Sequence, residues 1–214
     1  MPVEALILPP GSRQVRGVVF GGLRVAERAA LTLGRAGINR VLVPRTCGIG
    51  EGSVARLARH GVVVTRAGEA LLASVAAGSG LLIVSADVVF EPSAVRVLLE
   101  RLRARGWTGA AAADPSPGTF VALTPPAVDA LRTASERRVL EAIGALRVCD
   151  LGPVFCRVLS GADGARAIQR DYMIHRHGPE RLFSRTIRGF SIRTAALLLW
   201  LRPRGELSAH PLTR

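Results

Sequence analysis

With 214 residues, 49% of them hydrophobic and 21% charged, the chain has room for one α/β-sized domain with a small appendage. That balance excludes both a stapled mini-protein and a disordered chain. A formal charge of +13, from 29 basic and 16 acidic residues, points to an anionic partner; every one of those basic residues is arginine, which excludes Schiff-base and Walker lysines.

Strand and helix patterns alternate through the first two-thirds of the sequence. Val3–Leu8 is a short apolar run ended by Pro9-Pro10-Gly11, the signal of a buried strand. Leu23–Arg35 carries Leu23, Ala26, Ala30 and Leu33 at helical spacing, with Gly37 as the stop. Arg40–Val43 reads as a second strand, Ser53 caps a short helix through Arg59, Gly61–Thr65 is a third strand and Glu69–Ala77 a third helix. Leu81–Ser85 forms a fourth strand that runs into Asp87. Ser93–Arg105 is amphipathic, with Val95, Leu98, Leu99 and Leu102 inward and Arg96, Arg101, Arg103 and Arg105 outward. Further along, Thr108–Ala113 and Phe120–Leu123 read as strands. Thr124-Pro125-Pro126 then opens a helix with a cap and an N1 proline, and Arg147–Asp150 and Val154–Leu159 are the last strands. Strands separated by helices of this length imply a mostly parallel central sheet flanked by helices, a Rossmann-like α/β fold.

After Ser160 the pattern is helical through Arg176, and again from Pro179 to Leu201. Between Arg166 and Arg204 nine arginines face two acids, Asp171 and Glu180, so residues 1–165 are expected to form the α/β domain and 166–214 an arginine-rich helical tail. Ile192–Leu201 is too short to span a bilayer, though suited to lying on one. Met1-Pro-Val-Glu lacks the features of a signal peptide. Cys47, Cys149 and Cys156 form no CxxC pair and leave an odd cysteine, which fits a reducing compartment and a cytoplasmic location.

In an open parallel sheet, ligands bind beyond the carboxyl ends of the strands. Gly11, Ser12 and Arg13 follow the first strand, where backbone N–H groups and a guanidinium suit phosphate. Gly21 and Gly22 precede a helix whose N-terminus suits an anion. The cluster Cys47-Gly-Ile-Gly-Glu-Gly52 is not GxGxxG and brings no ribose-binding acid, which argues against a dinucleotide. Asp87 emerges from an apolar strand, where a carboxylate needs a cation, a hydrogen-bond set or solvent; Mg²⁺, which takes few protein carboxylates, suits it, and a turn aspartate is the alternative. His175-x-His177 lacks zinc spacing, and no GxSxG is present.

These segments, in this order, resemble the GT-A-like nucleotidyltransferase family that builds nucleoside-diphosphate sugars and alcohols. Ala5-Leu-Ile-Leu-Pro-Pro-Gly-Ser-Arg13 is similar to its opening strand and LAAGxGxR loop, and Phe20-Gly-Gly-Leu-Arg-Val-Ala-Glu-Arg28 with Ala36-Gly-Ile-Asn-Arg-Val-Leu-Val43 to its GGxPLIER…AGIxRVxVV stretch. Val84-Ser-Ala-Asp-Val-Val-Phe-Glu-Pro92 resembles its metal strand. Arg170–Ile187 resembles the linker that joins such cytidylyltransferase domains to a membrane-embedded CDP-alcohol phosphatidyltransferase.

The resemblance implies CTP and a phosphorylated polyol such as inositol phosphate as substrates, with Mg²⁺ as cofactor. It places Arg13 and Asp87 in catalysis and Gly11, Ser12, Arg13, Gly21 and Gly22 on the nucleotide. It also implies a membrane-embedded partner, with the protein peripheral to the inner face of the membrane, and Arg176, Arg181, Arg185, Arg188 and Arg193 against anionic lipid or that partner. The chain departs from the family in two places. It has no lysine to anchor phosphates, leaving Arg13, Arg16 or Arg24 as substitutes; and Arg157 stands where the second metal carboxylate is expected, leaving Asp150 as the replacement. The alternative is therefore an inactive nucleotidyltransferase-like module that binds a nucleotide, a partner or the membrane. Charge alone would suit nucleic acid, but no recognition motif is present and aromatics are only 4%.

Overall fold

A computed structural model describes residues 2–11, 15, 18–20, 22–68, 72–113, 120–134 and 136–177. The chain divides into two compact units, Met1–Ala162 and Asp163–Arg214.

The first unit is built on a seven-stranded sheet. Its strands are β1 (Val3–Leu8), β4 (Arg40–Pro44), β5 (Val63–Ala67), β6 (Gly80–Ser85), β8 (Gly109–Ala112), β9 (Phe120–Leu123) and β10 (Arg147–Cys149), in the spatial order β10-β8-β9-β6-β1-β4-β5. All pairings are parallel except the two made by β9. β1 pairs with β6 along its whole length, from Val3↔Gly80 to Leu8↔Ser85. Chain order runs outward from β1 to β4 and β5 on one side and restarts at β6 on the other, so the topological switch lies between β1 and β6.

Alternation along the strands divides the core into two layers. Ala5, Ile7, Val41, Val43, Leu82 and Val84 face one side, where they meet α1 (Val25–Arg35), α2 (Glu51–Arg59) and α3 (Pro92–Ala104). Leu6, Leu42, Leu81 and Ile83 face the other, with Val128 of α4 (Pro125–Leu131) and Val139 and Ile143 of α5 (Glu136–Gly144). Gly34 of α1 lets that helix approach the residue that leads into β5, since a Cβ there would stand 2.5 Å from Cγ2 of Val62. α1 stops where expected, with Gly37 at φ 90°, a conformation that β-carbon-bearing residues adopt at a cost.

Several local expectations are corrected. Leu23–Arg24 is not the start of α1 but a two-residue strand, β3, paired with β2 (Val19–Phe20). Ser53 does not cap α2: Gly50 does, accepting from Ser53 N and Val54 N, while the Ser53 hydroxyl donates to Glu27 Oε2 at 3.3 Å. Thr124 precedes α4 and its N1 proline, but its hydroxyl donates to the Thr108 carbonyl at 2.9 Å instead of capping the helix.

The stretch expected as a helix at 69–77 forms turns over its described part, 72–77. Its backbone groups are satisfied by distant side chains. Arg40 donates to Ser74 O at 3.0 Å and Arg132 to Val75 O at 2.6 Å, while Ala76 N donates to Glu4 Oε1 at 3.3 Å. β11 (Cys156–Val158) does not join the main sheet; it pairs antiparallel with β7 (Val88–Phe90), a strand hidden in the sequence directly after Asp87.

In the second unit the described element is α6 (Ala162–His177), whose first residue closes the first unit. Ala165 and Tyr172 are buried along it, while Arg166, Arg170, Ile174 and Arg176 are exposed. The helix expected at 179–201 lies outside the described residues. Among the described residues, no helix is long and apolar enough to cross a membrane.

Candidate functional site

The carboxyl ends of β1, β4 and β6 come together at the switch point, and three chain segments leave there. β1 continues into Pro9–Gly11, β4 into a single 3-10 turn at Arg45–Cys47, and β6 into the Ala86-Asp87 turn. Between them lies a cleft of about 420 Å³, counting its solvent-open part, lined by Pro10 and Val15, by Arg24, Val25 and Ala26, by Thr46, Cys47 and Gly48, and by Ala86.

Asp87 is only 5% exposed although it sits at the end of a strand. Burial of a carboxylate is costly without hydrogen bonds, and the local chain supplies them. Gly11 N donates to Asp87 Oδ2 at 2.9 Å, and the Ser85 hydroxyl donates to Asp87 Oδ1 and approaches Pro9 O at 3.3 Å. Ala86 N donates to Leu8 O at 2.9 Å. Asp87 thus ties the loop after β1 to the end of β6, bringing together two of the residues singled out from sequence, Gly11 and Asp87.

On the opposite wall, α1 begins with Arg24 as its N-cap, which makes no side-chain capping bond, and Arg24, Val25 and Ala26 of that first turn line the cleft. Arg24 donates from Nη1 to Gly48 O at 3.1 Å and the Cys47 thiol donates to Ile7 O at 3.2 Å, which fixes the turn after β4 between β1 and α1. Arg66 holds the same loop by donating to Ile49 O. Glu27, buried in the first turn of α1, would repel an anion there, but it is paired with Arg56 at 3.0 Å. The wall is therefore a helix N-terminus with one exposed guanidinium, an arrangement that attracts phosphate.

The rest of the expected site is placed differently. Gly22 is exposed at φ 82°, in the turn between β2 and β3, where the left-handed conformation calls for glycine. Asp150 follows β10, three strand positions from β6, or about 14 Å across the sheet. Its exposed carboxylate accepts Gly152 N at 2.8 Å, and no contact among the described residues joins it to Asp87. The residue nearest Asp87 on the second strand is Leu159, which continues the β7–β11 register and donates its N–H to Asp87 O at 2.8 Å. The residue across from Asp87 in that register is therefore a 1% exposed leucine, not a carboxylate. Arg157 is exposed, and its guanidinium lies over the Phe155 ring. Among the described residues no three acidic, histidine or cysteine side chains cluster as a metal site. Ser12, Arg13, Gly21, Arg181, Arg185, Arg188 and Arg193 lie outside the described residues, and Arg176 is exposed on α6.

The sequence shows a glycine cluster at Cys47–Gly52 but does not by itself mark Thr46, Cys47 and Gly48 as cleft residues. Their signal is the proline that ends β4, followed four residues later by Gly48, which adopts φ 70°.

No family model matches the chain, and no curated protein matches it by sequence. Solved structures do match in fold. UDP-glucose pyrophosphorylase from Acinetobacter baumanii superposes with a TM-score of 0.60 at 10% identity, covering 94% of this chain and 100% of that one. The inositol-1-phosphate CTP transferase from T. maritima gives 0.55 at 12%, covering 83% and 97%, and 4-diphosphocytidyl-2C-methyl-D-erythritol synthase from Anaerococcus prevotii gives 0.53 at 11%, covering 80% and 98%. At these identities the likeness is one of fold alone, shared with these three proteins.

Proposed function

We propose that the protein is a nucleotidyltransferase that binds a nucleoside triphosphate, CTP in the first instance, over the carboxyl ends of β1, β4 and β6, with a phosphorylated polyol as acceptor. The observation that carries this reading is the cleft between an α1 N-terminus bearing Arg24 and the buried Asp87 clamp, in a fold shared with enzymes of that name. In the reaction, a phosphate oxygen of the acceptor attacks the α-phosphorus, the bond to the β-phosphate breaks and pyrophosphate leaves. Arg24 and the first-turn N–H groups of α1 hold the triphosphate, and the Gly11–Asp87 bond holds the β1 loop over it.

The donor set is compatible with Mg²⁺ in its minimal form, since that ion uses one or two carboxylates and completes its shell with phosphate oxygens and water. Asp87 would hold it, and the ion would supply charge neutralisation at the transferred group. The proposal extends to the arrangement of the chain, with 166–214 as the segment that meets a membrane-embedded CDP-alcohol phosphatidyltransferase.

A second reading has its own observation. Leu159 beside Asp87, with no lysine in the chain, removes two sources of transition-state stabilisation, and a loss on the order of 10²–10⁴ in rate follows from such omissions. This favours a nucleotide-binding protein without turnover.

Calorimetric titration with CTP and Mg²⁺, beside a pyrophosphate-release assay with inositol phosphate, separates the two. Binding with release, both lost in Asp87→Ala, supports the transferase. Binding without release supports the inactive form, and absence of binding to any nucleoside triphosphate refutes both.

A further inference from the structure

Trp107 sits at the opposite end of the strands from the cleft, two residues before β8, and packs half-buried against the core layer that holds α3. Two guanidiniums lie over its ring: Arg105, just past α3, at 5.4 Å from the centroid, and Arg147, the first residue of the edge strand β10, at 5.6 Å. Arg101, one helical turn before Arg105, is also exposed. Among the described residues, none of these three arginines has an ion pair or a side-chain hydrogen bond. The cluster is an uncompensated cationic patch with an indole beside it, at the other end of the strands from Asp87 and the cleft.

We propose that this patch is a docking surface for an anionic phospholipid bilayer. The composition is that of an interfacial anchor, in which guanidiniums meet lipid phosphates and an indole settles at headgroup level. A nucleic-acid role would use the ring for base stacking, and two guanidiniums already stand over it. The placement also fits. Trp107 precedes β8 and Arg147 begins β10, and both strands run parallel to β6, so docking here leaves the cleft at the strands' carboxyl ends facing solvent.

The test is vesicle co-sedimentation of the full chain with mixed phosphatidylserine and phosphatidylcholine, comparing Arg105→Gln/Arg147→Gln with a charge-matched control, Arg45→Gln/Arg157→Gln, whose side chains are exposed and of which Arg45 lies just past the carboxyl end of β4. Each arginine at the surface is worth roughly fivefold in partitioning, so the patch pair should bind about thirtyfold more weakly and the control only slightly so. Equal loss in both pairs, or none in the patch pair, overturns the proposal. A second readout isolates the patch from the arginine-rich tail. In a Trp200→Phe background Trp107 is the sole indole, and brominated phosphatidylserine should quench it on binding. Binding without quenching overturns the proposal in favour of docking through the tail. Loss of duplex RNA or DNA binding in the patch pair, with vesicle binding unchanged, overturns it in favour of nucleic acid.

Discussion

Replacing Asp87 by alanine removes the acceptor of two hydrogen bonds, and the structure says how much each loss costs. Ser85 keeps a second acceptor in Pro9 O at 3.3 Å, and Gly11 is exposed, so water can replace its partner. Hydrogen bonds to a charged group contribute about 1.5–3 kcal/mol each, and the relief of a buried charge offsets part of the loss, giving a net destabilisation of about 2 kcal/mol. For a chain of this size that is a fall in Tm of about 4–8 °C. Thermal and urea unfolding of Asp87→Ala, Ser85→Ala and the double variant measure both the cost and the coupling between the two side chains, which should be about 1–2 kcal/mol. Additive effects, or an alanine variant as stable as the parent, would refute the assignment of Asp87 as the clamp on the β1 loop.

Gly34→Ala gains about 1 kcal/mol of helix propensity but drives a Cβ to 2.5 Å from a side-chain carbon of Val62, which is 1% exposed; overpacking of about 1–3 kcal/mol should win, and a raised Tm would contradict the packing described. Arg40→Ala leaves Glu4, 6% exposed, without its 2.7 Å partner and frees Ser74 O, so amide exchange should accelerate in residues 72–76 before the rest of the sheet; uniform protection would refute the role of Arg40 in holding that turn. Leu159→Asp places a second carboxylate beside Asp87 at a buried position, so the variant should lose Tm in chelator and regain it with Mg²⁺; a metal-independent Tm would show that the β7–β11 register does not bring the two side chains together.

The parts of the fold written in local pattern were legible. β1, β4 and β6 are apolar runs with turn signals, and α3 is periodic over three turns. The failures came where distant partners decide. The turn at 72–77 carries helix-forming residues, yet its carbonyls and an N–H are claimed by Arg40, Arg132 and Glu4. β7 is three residues long, too short for a periodic signal, and is defined by β11, whose Val158 pairs with Val88 across 70 residues of chain. α5 went unread between two turn-like stretches.

The same division holds at the site. A carboxylate directly after an apolar strand made Asp87 stand out, but its bond to Gly11 spans 76 residues, and the leucine across from it follows from register alone. Arg24 became a wall of the cleft because the two-residue hairpin β2–β3 sets where α1 begins.

The most direct measurement is amide hydrogen exchange with and without CTP and Mg²⁺. Protection should rise at Gly11, at the first turn of α1 from Val25, and at Cys47 and Gly48, with no change in β8 and β10. Protection that appears elsewhere, or none at saturating nucleotide, would contradict the assignment of the cleft above β1, β4 and β6 as a nucleotide site.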